Sequence, residues 1–314
     1  MNSQVTNTLL MVRPRNFQGN AQTAVNNYFQ NLGGKLSVAE IQKEALREFD
    51  LFVEKLLAKG IEVIVIEDSD HPETPDAIFP NNWISFHQSG KIYTYPMFAE
   101  NRRLERRDAV INQIDQSYEV SELIRLESWE DKGHFLEGTG SLVFERLQKI
   151  AYVALSDRAH IPVIKDFEEK SGYRTITFRA NHSVNGKRMP VYHTNVMMYV
   201  GEGFAVICLD SIDDAVEREA VVSSLKASRK EIIAITEKQV NSFAGNGLQV
   251  CNDRGDRFIV MSGRAYASLD QNQQKALEKN GEIIHSPLNT IEHYGGGSAR
   301  CMMAEIFLRK KDHV

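Results

Sequence analysis

The chain has 314 residues, 42% of them hydrophobic and 25% charged, the profile of a folded chain long enough to bury a sizeable core. Its 37 basic side chains are outnumbered by 42 acidic ones, so the net charge of -5 offers no basic field to hold nucleic acid or an anionic membrane. Three cysteines, Cys208, Cys251 and Cys301, cannot all pair and show no C-x-x-C spacing, which argues against a disulfide framework or a cysteine-rich zinc site and fits a reducing cytosol.

Residues 1–19 lack a basic segment followed by an apolar one, and no apolar run approaches the ~18 residues that span a bilayer. A cytoplasmic globular protein is expected. The clearest helix is residues 37–59, where Ser37 and Glu40 form a capping box. Ile41, Ala45, Phe49, Phe52 and Leu56 follow at helical spacing, and Gly60 stops the run. Residues 61–66, β-branched and apolar, are expected as a strand buried on both faces.

Further along, five segments begin alike, with small or polar residues ahead of an apolar strand: residues 80–83, 137–140, 193–195, 244–247 and 297–301. In four of them the strand meets a turn and a second strand, as in residues 83–86 and 92–95, and again in 248–251 and 258–260. The fifth runs into residues 302–308 and the end of the sequence. Taking Asn82, Gly140, Asn195, Gly247 and Cys301 as markers, the period is ~55 residues, room for three strands and a helix. Residues 217–230 and 268–280 are helical candidates at the places the period requires. No stretch has the composition of a linker. The expectation is an α/β protein of five units closing radially, like a propeller, into a single domain over residues 1–314.

Such closure would point Asn81, Asn82, Glu137, His193, Asn246 and Cys301 toward one central channel. Cys301 follows the loop Gly295-Gly296-Gly297-Ser298-Ala299-Arg300, whose glycines let backbone N–H groups approach a substrate, and a thiolate there would be a strong nucleophile. Cys208 and Cys251, inside or at the end of apolar strands, are expected to be core residues. His193 could protonate a leaving group and then activate water, and Glu137 could hold it in its charged form or grip a substrate nitrogen. Alone, the first is more often a structural or surface histidine than a catalytic one, and the second reads as a turn residue. A metal on Cys301, His193 and Glu137 is less favoured, because no close ligand pair anchors it.

The ordered set of Pro75-Asp76-Ala77-Ile78-Phe79-Pro80-Asn81-Asn82, Asn101-Arg102-Arg103-Leu104-Glu105, Leu136-Glu137-Gly138, Ser156-Asp157-Arg158, Tyr192-His193-Thr194 and Gly295 through Met303 resembles the guanidino-modifying superfamily of arginine deiminases, dimethylarginine dimethylaminohydrolases and amidinotransferases. The whole chain is most similar to its citrulline-utilisation branch, which includes citrulline ureidase. The resemblance implies the five-bladed α/β propeller (pentein), no cofactor, Cys301 as nucleophile, His193 as acid/base and Glu137 as the third catalytic group. It further implies that Arg158, and less surely Arg102 or Arg103, bind the substrate α-carboxylate; the alternative for the latter pair is a solvated helix face. Where deiminases of the superfamily clamp the cationic guanidinium with a carboxylate, this chain has Asn82, preceded by Asn81. A neutral amide suits a neutral ureido group, although Asp76 or Glu137 could supply the missing charge. The expectation is a hydrolase that cleaves carbon–nitrogen bonds of a small ureido or guanidino amino acid through a covalent cysteine adduct, converting citrulline to ornithine, carbon dioxide and ammonia. The alternatives are an arginine deiminase-, dimethylargininase- or amidinotransferase-type activity, and a non-catalytic amino-acid binding protein. Assembly into a homo-oligomer stays open.

Overall fold

Ser37 begins the longest helix, Val38–Ala58, by accepting the Glu40 N–H on its hydroxyl while the Glu40 side chain accepts the Ser37 N–H. Ile41, Ala45, Phe49, Phe52 and Leu56 form its buried stripe, and Gly60, at φ +77°, ends the run in the left-handed region. The stripe packs on the strands Glu62–Glu67 and Glu282–Ser286. The first of these was expected to be buried on both faces and is only half-buried. It is the outer strand of its sheet, paired on one side only, with Thr8–Arg13 in parallel.

The computed structural model describes residues 3–312, so the first two and last two residues of the expected domain lie outside the described residues. Within them the strand–turn–strand–helix–strand unit recurs four times, and a fifth sheet repeats its strand order with strands from both ends of the chain. Ile84–Phe86, Lys91–Thr94 and Glu122–Arg125 form one sheet; Val143–Glu145, Ile150–Ala154 and Arg174–Phe178 the next. Met198–Val200, Phe204–Ile207 and Glu231–Ala234 form a third, and Leu248–Cys251, Arg257–Ser262 and Glu282–Ser286 a fourth. The fifth joins the two ends of the chain, Ala304–Glu305 pairing with Thr8–Arg13, which pairs with Glu62–Glu67. In every sheet the first strand is antiparallel to the second and the second parallel to the third. A parallel neighbour requires a crossover, and each crossover carries a helix: Asp108–Ser117, Ile161–Ser171, Ala215–Ala227, Gln271–Glu278 and, in the fifth sheet, Val38–Ala58. An extra hairpin, Asn181–Val184 with Lys187–Pro190, stands outside the pattern.

Local chemistry explains three further departures from expectation. The helix expected over residues 217–230 starts earlier, at Ala215, because Asp214 caps it. That expected over 268–280 is two helices, Gly263–Ser268 and Gln271–Glu278, since Asp270 starts the second with a capping box of its own. The last strand is Ala304–Glu305 only, its expected start being wound into the helical turn Ala299–Met302. Apolar side chains of the strands and helices fill four buried clusters. Among the described residues no helix is long and apolar enough to cross a membrane.

Ahead of the first strand in four sheets sits a short helical turn, Pro80–Asn82, Gly138–Ser141, Thr194–Val196 or Ala299–Met302. Gly138–Ser141 touches Pro80–Asn82 and Thr194–Val196, and Pro80–Asn82 touches Ala299–Met302. Segments far apart in sequence therefore meet. The Ser37 cap lies at the surface away from them, so Ser37→Ala should lower stability by about 1 kcal/mol and leave any activity unchanged, as read from urea midpoints and turnover of the same preparations.

Candidate active site

Cys301 sits in the turn Ala299–Met302, only 2% exposed. Two side-chain amides donate toward its sulfur, Asn246 Nδ2 at 3.3 Å and Asn195 Nδ2 at 3.5 Å. The Asn246 amide cannot turn over without loss, because the Arg300 N–H donates to its Oδ1 (3.0 Å) and its Nδ2 also reaches the Asn195 carbonyl (2.8 Å).

His193 stands where the chain enters the turn Thr194–Val196, and its Nε2 lies 2.7 Å from Glu137 Oε2. Glu137 is buried, and burial pushes its carboxyl up; Arg158 and the His193 hydrogen bond outweigh that and hold it well below the usual carboxylate range. The Phe98 N–H donates to its other oxygen at 3.0 Å. With Glu137 ionised, Nε2 is the protonated nitrogen of His193 and Nδ1 keeps its lone pair. Burial lowers the His193 imidazole from 6.5 to about 4 against the pull of Glu137, so it is neutral at neutral pH and not, as expected, held in its charged form.

Glycines set the spacing of these groups. Gly138 has φ +44°, and a side chain there would come within 2.3 Å of the Asn81 carbonyl oxygen. At Gly140 a Cβ would lie 2.6 Å from Asn82 Nδ2 and 2.8 Å from His193 Nδ1, so both groups flank a space that only glycine leaves open.

Asn82 is held by Arg102, whose Nη1 donates to its Oδ1 at 2.7 Å. The same guanidinium forks onto Glu105 at 2.8 and 2.9 Å and reaches the Phe79 carbonyl at 3.2 Å. Burial pushes the Glu105 carboxyl up to about 7 in spite of Arg102. A guanidinium only donates, so Arg102 fixes the Asn82 amide with its oxygen turned away and its NH2 presented. One of those hydrogens goes to Asn81 Oδ1 at 2.9 Å; the other has no acceptor among the described residues.

Residues 20–31 close the site. Asn20 and Thr23 donate to Asp76 Oδ2 (2.8 and 3.2 Å), leaving Oδ1 buried and without a partner. Arg158 donates to the Thr23 carbonyl and to Asn26 Oδ1 (2.9 and 2.6 Å), over the face of the Tyr192 ring. Asn27 donates to the Gly295 and Gly296 carbonyls. The free space left among Thr23, Asp76, Asn82, Arg158, His193 and Cys301 is about 10 Å³, room for one water and too little for an amino acid as the groups stand.

Of the residues singled out in the sequence, Cys301, His193, Asn82, Asp76, Arg102 and Arg158 line this cavity. Glu137 and Asn246 stand behind His193 and Cys301, and Asn81 behind Asn82. Neither arginine of the 102–103 pair is on a solvated helix face: Arg102 is buried, and Arg103 is turned away to the Met97 carbonyl and Glu130. Arg102 also has no free fork for a carboxylate. Cys208 is a core residue and Cys251 is half-buried. Sequence reasoning missed Asn195 as a sulfur donor, although it marked the repeat, and it missed Thr23, Asn26 and Asn27, which no periodic signal picks out.

A family model described as N,N dimethylarginine dimethylhydrolase, eukaryotic, matches residues 13–308. No curated protein matches. Among solved structures, the apo form of ArgZ, an arginine dihydrolase of the ornithine-ammonia cycle in cyanobacteria, superposes with a TM-score of 0.73 at 15% identity, over 95% of this chain and 40% of that one. The N-terminal domain of ArgZ bound to substrate gives 0.70 at 15% identity, over 95% and 97%. A dimethylarginine dimethylaminohydrolase in adduct with S-methyl-L-thiocitrulline gives 0.65 at 12% identity, over 96% and 100%. The present chain thus spans about 40% of full-length ArgZ, and at these identities the likeness is one of fold.

Two outcomes follow from the geometry. Gly140→Ala should displace Asn82 and His193 and cut kcat/KM about 100-fold with little change in the unfolding midpoint. On acidification from 6.5 to about 4 the unfolded chain takes a proton on His193 that the folded chain refuses, so stability falls with pH across that window. Glu137 has the same sign at lower pH, its contribution being present above 4.5 and lost as pH falls through its depressed value. Urea unfolding at pH 7 and pH 4.5 should show His193→Gln losing less stability between the two than wild type, by up to roughly 3 kcal/mol.

Proposed function

The chain belongs to the N,N dimethylarginine dimethylhydrolase family, and from that premise we propose that it hydrolyses non-peptide carbon–nitrogen bonds through Cys301, with the neutral ureido amino acid citrulline as its substrate. The observation that carries this reading is the Arg102–Asn82 hydrogen bond of 2.7 Å. It leaves Asn82 presenting an N–H donor at the reacting end of the cavity. A ureido carbonyl accepts that bond; a guanidinium, which has only donors, does not.

In the proposed reaction neutral His193 takes the Cys301 proton on Nδ1, and the thiolate adds to the ureido carbon. The oxygen gains negative charge, which the Asn82 N–H stabilises. The bond to the ornithine nitrogen breaks as His193 returns the proton to that nitrogen, leaving a carbamoyl group on Cys301. Water, giving its proton to His193, then attacks the thiocarbamate carbon and the C–S bond breaks; His193 returns the proton to the released sulfur, and the carbamate decomposes to carbon dioxide and ammonia. Glu137 holds the imidazole orientation throughout. Arg158 is the proposed α-carboxylate partner, since its present ligands, the Thr23 carbonyl and the Asn26 amide, belong to the segment that closes the site. The five sheets of one topology support closure into a five-bladed propeller forming one domain.

One observation favours arginine instead: Asp76 Oδ1, buried at the cavity and unpartnered, could accept from a guanidinium. Assay of ornithine and ammonia release separates the two readings. Citrulline should turn over and arginine should not; the reverse preference removes the proposal. Cys301→Ala should fall below ~10⁻⁴ of wild-type turnover. Asn82→Asp should lower kcat/KM for citrulline about 100-fold, as loss of one donor to the developing oxyanion does.

A further inference from the structure

The far ends of two catalytic strands enclose a second, larger cavity. Ile84–Phe86 carries Asn82 ahead of it and runs into the turn of residues 87–90; Val143–Glu145 carries Glu137 ahead of it and runs into residues 146–149. Each strand has three residues, so these turns lie roughly 10 Å along the strands from the groups that line the active site. Between them is a space of about 320 Å³ bounded also by the end of the helix Ile161–Ser171.

Its wall is cationic. Lys91, Arg146 and Lys149 line it together with the hydroxyl-bearing Ser89, Ser171 and Tyr173, and none of its lining residues is acidic. In a chain of net charge -5 this is a local reversal of sign. Arg146 is 5% exposed, stacked 3.9 Å from the Phe307 ring, with its Nε left without a partner. Its one carboxylate, Glu305, is shared: Arg146 Nη2 lies 3.4 Å from it and Arg300 Nη2 2.6 Å. Two buried guanidinium groups on one carboxylate leave an excess positive charge, which costs free energy unless an anion completes the set. At the rim Glu122 pairs with Lys91 at 3.0 Å, while Lys149 is exposed with no ion pair among the described residues. Burial first, then the charges of Arg146, Lys149 and Lys91, hold the His87 imidazole well below its ordinary value, so this histidine adds no charge of its own.

We propose that this cavity binds a phosphate group, free or as a small phosphate monoester. A guanidinium, two ammonium groups and three hydroxyls offer more donors than a single carboxylate can accept, and they suit a tetrahedral oxyanion with several terminal oxygens. Calorimetric titration of the full chain at fixed ionic strength tests it, with inorganic phosphate in one arm and glycerol 3-phosphate in the other. Saturable binding is expected in at least one arm, and the tighter of the two identifies the source. Lys149→Glu, a surface change that leaves the core alone, should weaken binding at least fivefold, and Arg146→Gln should do the same if it folds. Absence of binding in both arms overturns the proposal. So does binding that Lys149→Glu weakens less than fivefold, which would place the anion elsewhere, for instance on Arg158.

Discussion

A buried guanidinium decides which end of a neighbouring amide faces the reacting groups. Arg102 cannot accept a hydrogen bond, so Asn82, whose oxygen it holds, has only N–H to offer the cavity. The lock is itself held: both oxygens of Glu105 grip the other edge of the guanidinium, and the Phe79 carbonyl takes a further bond. In so confined a site a mismatched donor or acceptor has little solvent to pair with, and the proposed preference for a ureido group rests on that.

Charge is arranged around that lock in a consistent way. Glu137 remains ionised although buried, because Arg158 and His193 face it, and an ionised Glu137 fixes the His193 tautomer that leaves Nδ1 free. On the opposite side the sulfur of Cys301 receives two amide N–H groups, one of them held in place by the backbone of Arg300. Apart from Arg300 beside Cys301 and His193 close to Asn195, these groups are far apart in sequence. The five sheets of equal topology bring them together through short turns ahead of their first strands, and glycines at 138 and 140 allow those turns to approach within contact distance.

Much of this arrangement is legible in the sequence, because a repeat of strand, turn and helix leaves a period that survives the absence of any repeated residue. The markers Asn82, Gly140, Asn195 and Cys301 all fall in or beside the turns that meet. What the sequence hides is burial and direction. The short helix Glu100–Arg103, with Glu105 just beyond it, has the spacing of an ordinary surface ion pair, and only the fold reveals that Arg102 points inward to Asn82. Residues 20–31 are polar and aperiodic, so their grip on Asp76 and Arg158 depends on contacts across more than 50 residues of sequence, to which a local pattern is blind. The half-buried strand Glu62–Glu67 is a similar case, since an apolar run does not tell an outer strand from a central one.

The orientation of one amide is therefore the point on which the account turns, and binding without chemistry reads it most directly. Calorimetry with the Cys301→Ala protein, titrated separately with citrulline and with arginine, isolates recognition of the ureido or guanidino group from all later steps. Citrulline binding at least tenfold tighter than arginine is the expected result; arginine binding tighter would mean that Asn82 does not present its N–H to the substrate, and the account would fail at its base.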